Sequence, residues 1–298
     1  MDFLPYNTRV VLLGVTLLGA CAGVIGCFAV LRRRALVGDA LSHSTLPGVA
    51  AAFLLAGGKH FSLMLLGAFV SGLLAIGALA LLRRWTRIKE DAGIAIVLST
   101  FFGAGVVLAS VIQQSQESGQ SGWDAFIFGK SAGIVWDDVQ LIAILVAVTL
   151  VIVALCYKEF LLITFDPEFA KVQGWPARQL DFALMLLLLV AVVVGLPAVG
   201  VLLMAAMLII PAAAARLWTQ RLAAMLFLSA GIGVLAGVVG TFLSDRASVP
   251  LGPSIIFVAA FLFAFSLLLA PRRGLIARWI ARRRDREALL AHGGELPP

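Results

Sequence analysis

Two side chains that can bind a metal ion or carry a proton lie in an apolar stretch near the N-terminus. The stretch, LRRRALVGDALSHSTLPGVAAAFLLAG, covers residues 31–57, and Asp39 and His43 are its only carboxylate and imidazole. Residues four positions apart lie on the same face of a helix, so the two side chains are expected to meet. One carboxylate oxygen with one imidazole nitrogen suits Mn²⁺, Fe²⁺ or Zn²⁺ better than Cu(I), which prefers sulfur. The pair is therefore a candidate metal site.

The spacing of this pair is equally compatible with a structural role, in which His43 hydrogen-bonds Asp39 or a neighbouring backbone between helices. Two ligands from one chain would bind a metal ion weakly, whereas two copies meeting across a two-fold axis would supply four. In an ion-coupled or proton-coupled secondary transporter, the pair would instead relay protons. Ser42, Ser44 and Thr45 are expected to bond the helix backbone beside the pair.

The composition of the whole chain is that of a membrane protein. Of its 298 residues, 61% are hydrophobic and 13% are charged, and the mean hydropathy is +1.04. A soluble domain has about 25% charged residues. Apolar runs of about 20 residues, the length that crosses a bilayer, recur throughout. We predict about nine transmembrane helices, with eight or ten also compatible, over residues 9–31, 36–56, 61–82, 92–112, 139–157, 180–195, 197–215, 222–243 and 252–270. The fold class is an all-α polytopic membrane protein with a transmembrane domain over residues 1–271.

The basic residues orient these spans. If the N-terminus lies outside, 19 of the 23 Lys and Arg residues fall in inside segments. This asymmetry follows the positive-inside rule and predicts an N-out, C-in topology. The net charge of +7 then faces the cytoplasm and anionic lipid rather than nucleic acid. Residues 272–298 form a basic cytoplasmic tail, in which Leu275, Ile276, Trp279 and Ile280 recur at helical spacing and predict an amphipathic helix on the membrane surface.

Local signals predict one break and one short helix in the second half of the chain. The apolar run over residues 180–215 is too long for one crossing, and Gly195-Leu196-Pro197 is the predicted break. The cytoplasmic connection over residues 158–179 carries a helix-start signal at Asp166-Pro167-Glu168 and a stop signal at Gly174. We expect a short helix between these signals, lying on the cytoplasmic face.

The sequence contains no motif of a nucleotide-binding or catalytic site. The pattern GxxxxGK[ST] does not occur, and no Ser/His/Asp or HExxH arrangement lies among the spans. We therefore predict a transport pore without enzymatic activity or a permanently bound cofactor. On the outside, the segment from Trp123 to Trp136 mixes aromatic residues with carboxylates and is predicted to be interfacial or re-entrant.

Several collinear motifs resemble one family of membrane proteins. RRRALVGDALSHSTLPGVA, over residues 32–50, resembles the signature of the ABC-3 family, the permease subunits of bacterial manganese, zinc and iron importers. Further similar segments are Lys89-Glu90-Asp91, Phe128-Gly129-Lys130, Trp136-Asp137-Asp138, the FDPEFA segment from Phe165 through Gly174, and the VGVLL…IIPAA run over residues 199–213. Together these matches cover most of the chain.

The resemblance implies a function for both sets of residues. The Asp39–His43 pair corresponds to the metal pathway, and the segment over residues 163–178, with Asp166, Glu168, Ala170 and Gly174, corresponds to the helix that couples to an ATPase. The implied fold is that of vitamin B12 and siderophore importer permeases in the bacterial plasma membrane. The implied partners are a cytoplasmic ABC ATPase, an external metal-binding protein and a second permease copy, identical or similar.

The transported substrate stays open at the level of the sequence. Asp and His serve Mn²⁺, Zn²⁺ and Fe²⁺ alike, so the pair does not select among them. A siderophore or haem ABC permease is an alternative within the same class, and its wider pore would lack an intramembrane Asp-x-x-x-His pair. A secondary transporter is the alternative from another class, but it has no ATPase for the FDPEFA-like segment to engage.

Overall fold

The protein is helical wherever its structure is described. The computed structural model describes residues 6–57, 60–114, 136–247, 249–271, 274–277 and 279, in which no strand occurs. Its helices are α1 (Tyr6–Leu31), α2 (Ala35–Ser44), α3 (Leu46–Ala56), α4 (Phe61–Trp85), α5 (Glu90–Gln114), α6 (Trp136–Leu155), α7 (Tyr157–Phe165), α8 (Pro167–Val172), α9 (Ala177–Val199), α10 (Val201–Trp218), α11 (Leu222–Ala247) and α12 (Leu251–Leu269).

Seven of these helices are long and apolar enough to cross a membrane: α1, α4, α5, α6, α9, α11 and α12. Apolar side chains on their outer faces remain exposed, as Phe257 and Phe261 of α12 do with 69% and 66% of their surface. Such faces are compatible with lipid and not with water. The all-helical, membrane-spanning class predicted from composition is confirmed.

Helix α1 is the centre around which the other helices pack. Most of its apolar core segment is buried, and it contacts α6, α9, α10 and α11. Its contact with α11 is close because glycines face each other. A Cβ atom on Gly19 would overlap the backbone carbonyl of Gly233, and the reverse also holds. One turn further along, the Ser229 hydroxyl donates a 2.8 Å hydrogen bond to the Gly23 carbonyl.

The predicted second span, residues 36–56, is not one continuous helix. It consists of α2 and α3, which contain 10 and 11 residues and meet at Thr45. Pro47 has no N–H and therefore cannot donate to the carbonyl four residues earlier, that of His43. The two helices are separated at this point without the backbone leaving helical geometry, since Thr45 has φ −75° and ψ −23°. The break lies directly after the Asp39–His43 pair.

The predicted break at Gly195-Leu196-Pro197 was wrong by a few residues. Helix α9 continues through Pro197 to Val199, and the chain turns at Gly200, whose φ of 85° is in the left-handed region that favours glycine. A proline in the last turn of a helix is tolerated when its ring has room. Glycine at residue 200 is the residue that permits the turn, and α10 begins immediately after it.

The short helix predicted between Asp166 and Gly174 is confirmed as α8, while its location on the cytoplasmic face stays a prediction. The Asp166 carboxylate accepts a 2.9 Å hydrogen bond from the Phe169 N–H and so caps the helix. Gly174 follows the helix with φ 80°. The outer segment before Trp136 and the tail helix through Ile280 lie, for the most part, outside the described residues.

Candidate metal pathway

Asp39 and His43 lie on one face of α2, as their spacing predicted. His43 Nε2 is 3.5 Å from Asp39 Oδ1. An N–H···O hydrogen bond is usually 2.7–3.2 Å long, so this is a loose contact. Two ligand atoms each about 2.1 Å from a tetrahedral ion lie about 3.4 Å apart. The separation of the two atoms therefore fits joint binding of one metal ion at least as well as it fits a hydrogen bond.

The two side chains differ in their exposure. The Asp39 side chain is 37% exposed and that of His43 is 15% exposed. The Phe102 ring of α5 packs edge-on against the imidazole, with 5.0 Å between ring centroids and 84° between planes. His43 Nδ1 is buried and has no hydrogen-bond partner in the described part of the chain. The Asp39 carboxylate is thus accessible from outside the chain, whereas the His43 imidazole is packed against Phe102.

The described residues of this chain do not complete a metal site around the pair. Within the described ranges, no third His, Cys, Asp or Glu side chain comes close enough to form a cluster with them. A tightly bound transition metal has four or more ligands. A complete site would therefore need ligands beyond the described His, Cys, Asp and Glu side chains, such as water or another chain at the partly exposed side of Asp39.

The hydroxyl groups beside the pair bond the helix backbone at the break, as predicted for two of the three. Ser42 donates to the Gly38 carbonyl at 2.8 Å, and Thr45 donates to the Ser42 carbonyl at 2.6 Å. Ser44 Oγ is instead buried without a partner among the described residues, while Ser71 of α4 donates to the Ser44 carbonyl at 2.6 Å. Three hydroxyls therefore satisfy carbonyls around the break.

A cluster of ion pairs joins the beginning of α2 to α5 and α9. Arg34 Nε is 2.9 Å from Glu90 Oε1, and Arg34 Nη1 donates to Asp181 Oδ1 at 2.6 Å. Arg32 also pairs with Asp181, and Arg83 donates to Glu90 at 3.1 Å. Arg34 thereby connects two acidic residues from different helices, and it lies one turn before Asp39.

The arginines of this cluster are only partly solvated. The Arg32 and Arg34 side chains are 12% and 14% exposed. Burial lowers the pKa of the Arg32 guanidinium, and the adjacent Asp181 charge opposes that shift. Sequence reasoning assigned the RRR run to the cytoplasmic surface and did not identify this cluster. The signal it lacked was Asp181, a carboxylate at the start of an apolar run, which requires a basic partner.

Comparison with known proteins decides the family. The model of the ABC 3 transport family matches residues 6–270. The chain belongs to this family. It is 48% identical to the manganese transport system membrane protein MntC of Bacillus subtilis over 95% of this chain and 67% of that protein. It is 42% identical to the zinc transport system membrane protein TroC of Treponema pallidum over 95% of both.

Solved structures have a fold similar to that of this chain. The structure of PsaBC from Streptococcus pneumoniae in complex with Fab aligns with a TM-score of 0.80 and 33% identity, over 92% of this chain and 94% of that chain. A metal-chelate type ABC transporter in an inward-facing conformation aligns with a TM-score of 0.65 at 18% identity, which is a likeness of the fold alone. The predicted family resemblance is confirmed, and the chain is a multi-pass membrane protein.

The residues predicted to engage an ATPase fall into two groups in this ABC 3 family member. Asp166 caps α8, Ala170 is fully buried, and Gly174 ends the segment with a positive φ, so these three shape the helix. Glu168 is exposed and forms a 2.7 Å ion pair with Lys171. The exposed large apolar side chains of the segment, which sequence reasoning missed, are Phe165, Phe169, Val172 and Trp175.

Proposed function

We propose that this chain is the membrane permease subunit of an ATP-driven importer for a divalent transition metal ion, Mn²⁺, Zn²⁺ or Fe²⁺. The observation that carries the proposal is the Asp39–His43 pair, with its carboxylate partly exposed, beside a helix break in a member of the ABC 3 transport family. The manganese and zinc functions in the names of the two relatives support the class of cargo. The metal is transported substrate, so the permease needs no resident cofactor.

A second permease copy completes the metal pathway in this proposal. The Asp39 side chain is partly exposed on this chain, at 37%, where another subunit can approach it. Two copies related by a two-fold axis would bring two carboxylates and two imidazoles together, which is a four-ligand set for a transition metal. Because the set is divided between subunits, it can form and separate as the subunits move.

The proposed topology has nine crossings, N-out and C-in. The seven long helices account for seven of them. At 1.5 Å per residue, α2 and α3 together extend about 32 Å and α10 about 27 Å, so each can supply one further crossing of a core about 30 Å thick. Asp39 then lies in the cytoplasmic half of its crossing. Residues 1–271 form the transmembrane domain, and residues 272–298 form the cytoplasmic tail.

Energy would reach the pathway from a separate ABC ATPase bound at α8. The exposed Phe169 and Val172 and the exposed Glu168 provide an apolar contact surface with a charged edge. Helix α8 follows α7 and precedes α9, whose first turns carry Asp181 of the ion-pair cluster. An external binding protein would deliver the metal on the opposite side.

Metal accumulation in cells that lack the endogenous protein tests this function. Asp39→Ala and His43→Ala should abolish uptake of the transported metal, because each removes one kind of ligand. The matched controls are Asp245→Ala and His60→Ala, which change an exposed carboxylate and an exposed imidazole elsewhere. Uptake of ⁵⁴Mn²⁺, ⁶⁵Zn²⁺ and ⁵⁵Fe²⁺ is measured separately, with membrane insertion checked by immunoblot.

The pattern of uptake separates the alternatives. Wild-type uptake in Asp39→Ala and His43→Ala cells would refute the site. Uptake that persists with a catalytically dead ATPase but stops with a proton ionophore would instead identify a secondary transporter. Transport of a haem or siderophore complex by the same chain, without free metal, would identify the other ABC class.

A further inference from the structure

A cavity of about 930 Å³ opens between α4 and α9 on the side of the molecule where the ion-pair cluster lies. Its polar end is formed by Arg83 and Arg84 in the last turn of α4 and by Arg178 in the first turn of α9. Basic side chains from two helices therefore lie together at this end of the cavity. None of the residues in the proposed metal pathway lines this cavity.

Two of the three arginines carry uncompensated charge. Arg83 is paired with Glu90, and the Asp181 carboxylate that also lines the cavity is paired with Arg32 and Arg34. Arg84 and Arg178 are exposed and have no carboxylate partner among the residues that the structure describes. The N-terminus of α9 adds the positive end of its dipole at the same place. The mouth of the cavity is therefore suited to an anion.

The remainder of the cavity is apolar and extends along both helices. Ile76 and Leu79 line it on α4, and Phe182 and Met185 line it on α9. Ile76 and Met185 each lie seven residues from the arginine on their own helix, which is about 10 Å along the axis. The cavity thus has a cationic entrance at the level of the lipid headgroups and an apolar floor within the membrane.

We propose that this cavity binds an anionic phospholipid. Its phosphate would contact Arg84 and Arg178, and one acyl chain would lie against Ile76, Leu79, Phe182 and Met185. A soluble phosphate or nucleotide would leave the apolar floor exposed, and a lipid without net negative charge, such as zwitterionic phosphatidylcholine, would leave the charge of the two guanidinium groups uncompensated. The bound lipid would connect the ends of α4 and α9. The proposal requires the chain to lie in a membrane, but it does not depend on which cargo is transported.

Native mass spectrometry of the delipidated full-length chain in detergent tests the proposal. The probes are dioleoyl phosphatidylglycerol and dioleoyl phosphatidylcholine. Arg84→Gln/Arg178→Gln should weaken phosphatidylglycerol binding about tenfold, because each basic residue near an anionic headgroup contributes appreciably to binding. The matched control is Arg87→Gln/Arg221→Gln, which removes two exposed arginines that do not line the cavity and should leave binding unchanged.

A third variant separates a lipid from a soluble anion. Ala80→Phe places a ring in the cavity below intact arginines and should lower phosphatidylglycerol binding, whereas inorganic phosphate should not displace the lipid. Equal lipid binding by Arg84→Gln/Arg178→Gln and the wild type would overturn the proposal. It would also be overturned if phosphate competed fully, or if the double variant lost its ATPase partner while its lipid binding was unchanged.

Discussion

At the scale of residues, ion pairs at the beginning of α2 hold the helix that carries Asp39 and His43 in place. Arg34 immediately precedes α2 and contacts acidic residues from two other helices. Partly buried guanidinium groups are costly unless each is paired, so the geometry of the cluster is stabilised by all of its members together. Asp39 lies five residues beyond Arg34. The position of Asp39, the proposed metal ligand, therefore depends on a network of charges that the proposal does not assign to metal binding.

Asp181 is the residue in this cluster whose loss should be most damaging. Asp181→Asn removes the carboxylate charge that pairs with Arg32 and, together with Glu90, with Arg34. We expect it to destabilise the protein by about 2 kcal/mol, the range for hydrogen bonds to charged groups. The melting temperature of the detergent-purified chain measures this effect. Asp245→Asn, at an exposed carboxylate, is the control and should melt like the wild type. Equal melting of both variants would show that the cluster is not stabilising.

The sequence predicted the contact between Asp39 and His43, which are close in the chain, but not the ion pair between Arg34 and Asp181, which are far apart in it. Asp39 and His43 are four residues apart, and helix geometry alone brings them together. Arg34 and Asp181 are separated by 147 positions, so their contact depends on how α9 packs against α2. Periodicity carries no information about that packing. The same reason explains why Phe102, which packs on the imidazole from α5, was not anticipated.

At the scale of elements, small residues decide how closely the helices approach. Gly233 of α11 faces Gly19 of α1, and neither position has room for a Cβ atom. The sequence showed many glycines in apolar runs without showing which of them face another helix. Gly231, on the same helix, has no neighbour within 4 Å of its hypothetical Cβ. Two glycines separated by one residue thus have opposite roles.

This difference predicts opposite effects of the same substitution. Gly233→Ala forces α1 and α11 apart and should destabilise the protein by about 2 kcal/mol, as overpacking typically does. Gly231→Ala should leave stability unchanged or raise it by up to about 1 kcal/mol, since alanine favours a helix. Melting temperature and the monodisperse yield after purification measure both effects. A more stable Gly233→Ala variant would contradict the close packing described.

Helix α8 offers a second test at the scale of elements. Val172 is 86% exposed, so a change there should not affect folding. If α8 binds the ATPase, Val172→Asp places a charge within the apolar contact, and co-purification of the co-expressed ATPase should fall about tenfold. The near-isosteric Val172→Thr should retain the partner. Full retention by Val172→Asp would place the ATPase contact elsewhere.

At the scale of the whole molecule, the number of membrane crossings depends on two regions of shorter helices, the α2–α3 pair and α10. Composition predicted the membrane class and most of the spans, because an apolar run of about 20 residues is long enough to cross the bilayer. It could not decide whether α2 and α3 together cross the bilayer, since a break at Thr45 is compatible with a broken crossing or with a re-entrant pair. The break lies next to the proposed ligands, and discontinuous helices of this kind form the substrate sites of many transporters.

Cysteine labelling distinguishes these topologies. In a background with Cys21, Cys27 and Cys156 replaced by alanine, Tyr6→Cys, His60→Cys and Thr86→Cys each introduce one thiol at a helix end. If α1 and the α2–α3 pair both cross, Tyr6→Cys and His60→Cys lie on the same side and should react with an impermeant maleimide in intact cells. Thr86→Cys, beyond α4, should react only after permeabilisation. Labelling of Tyr6→Cys without His60→Cys would make α2–α3 re-entrant, and labelling of Thr86→Cys alone would invert the orientation and place the arginine-lined cavity on the outer side.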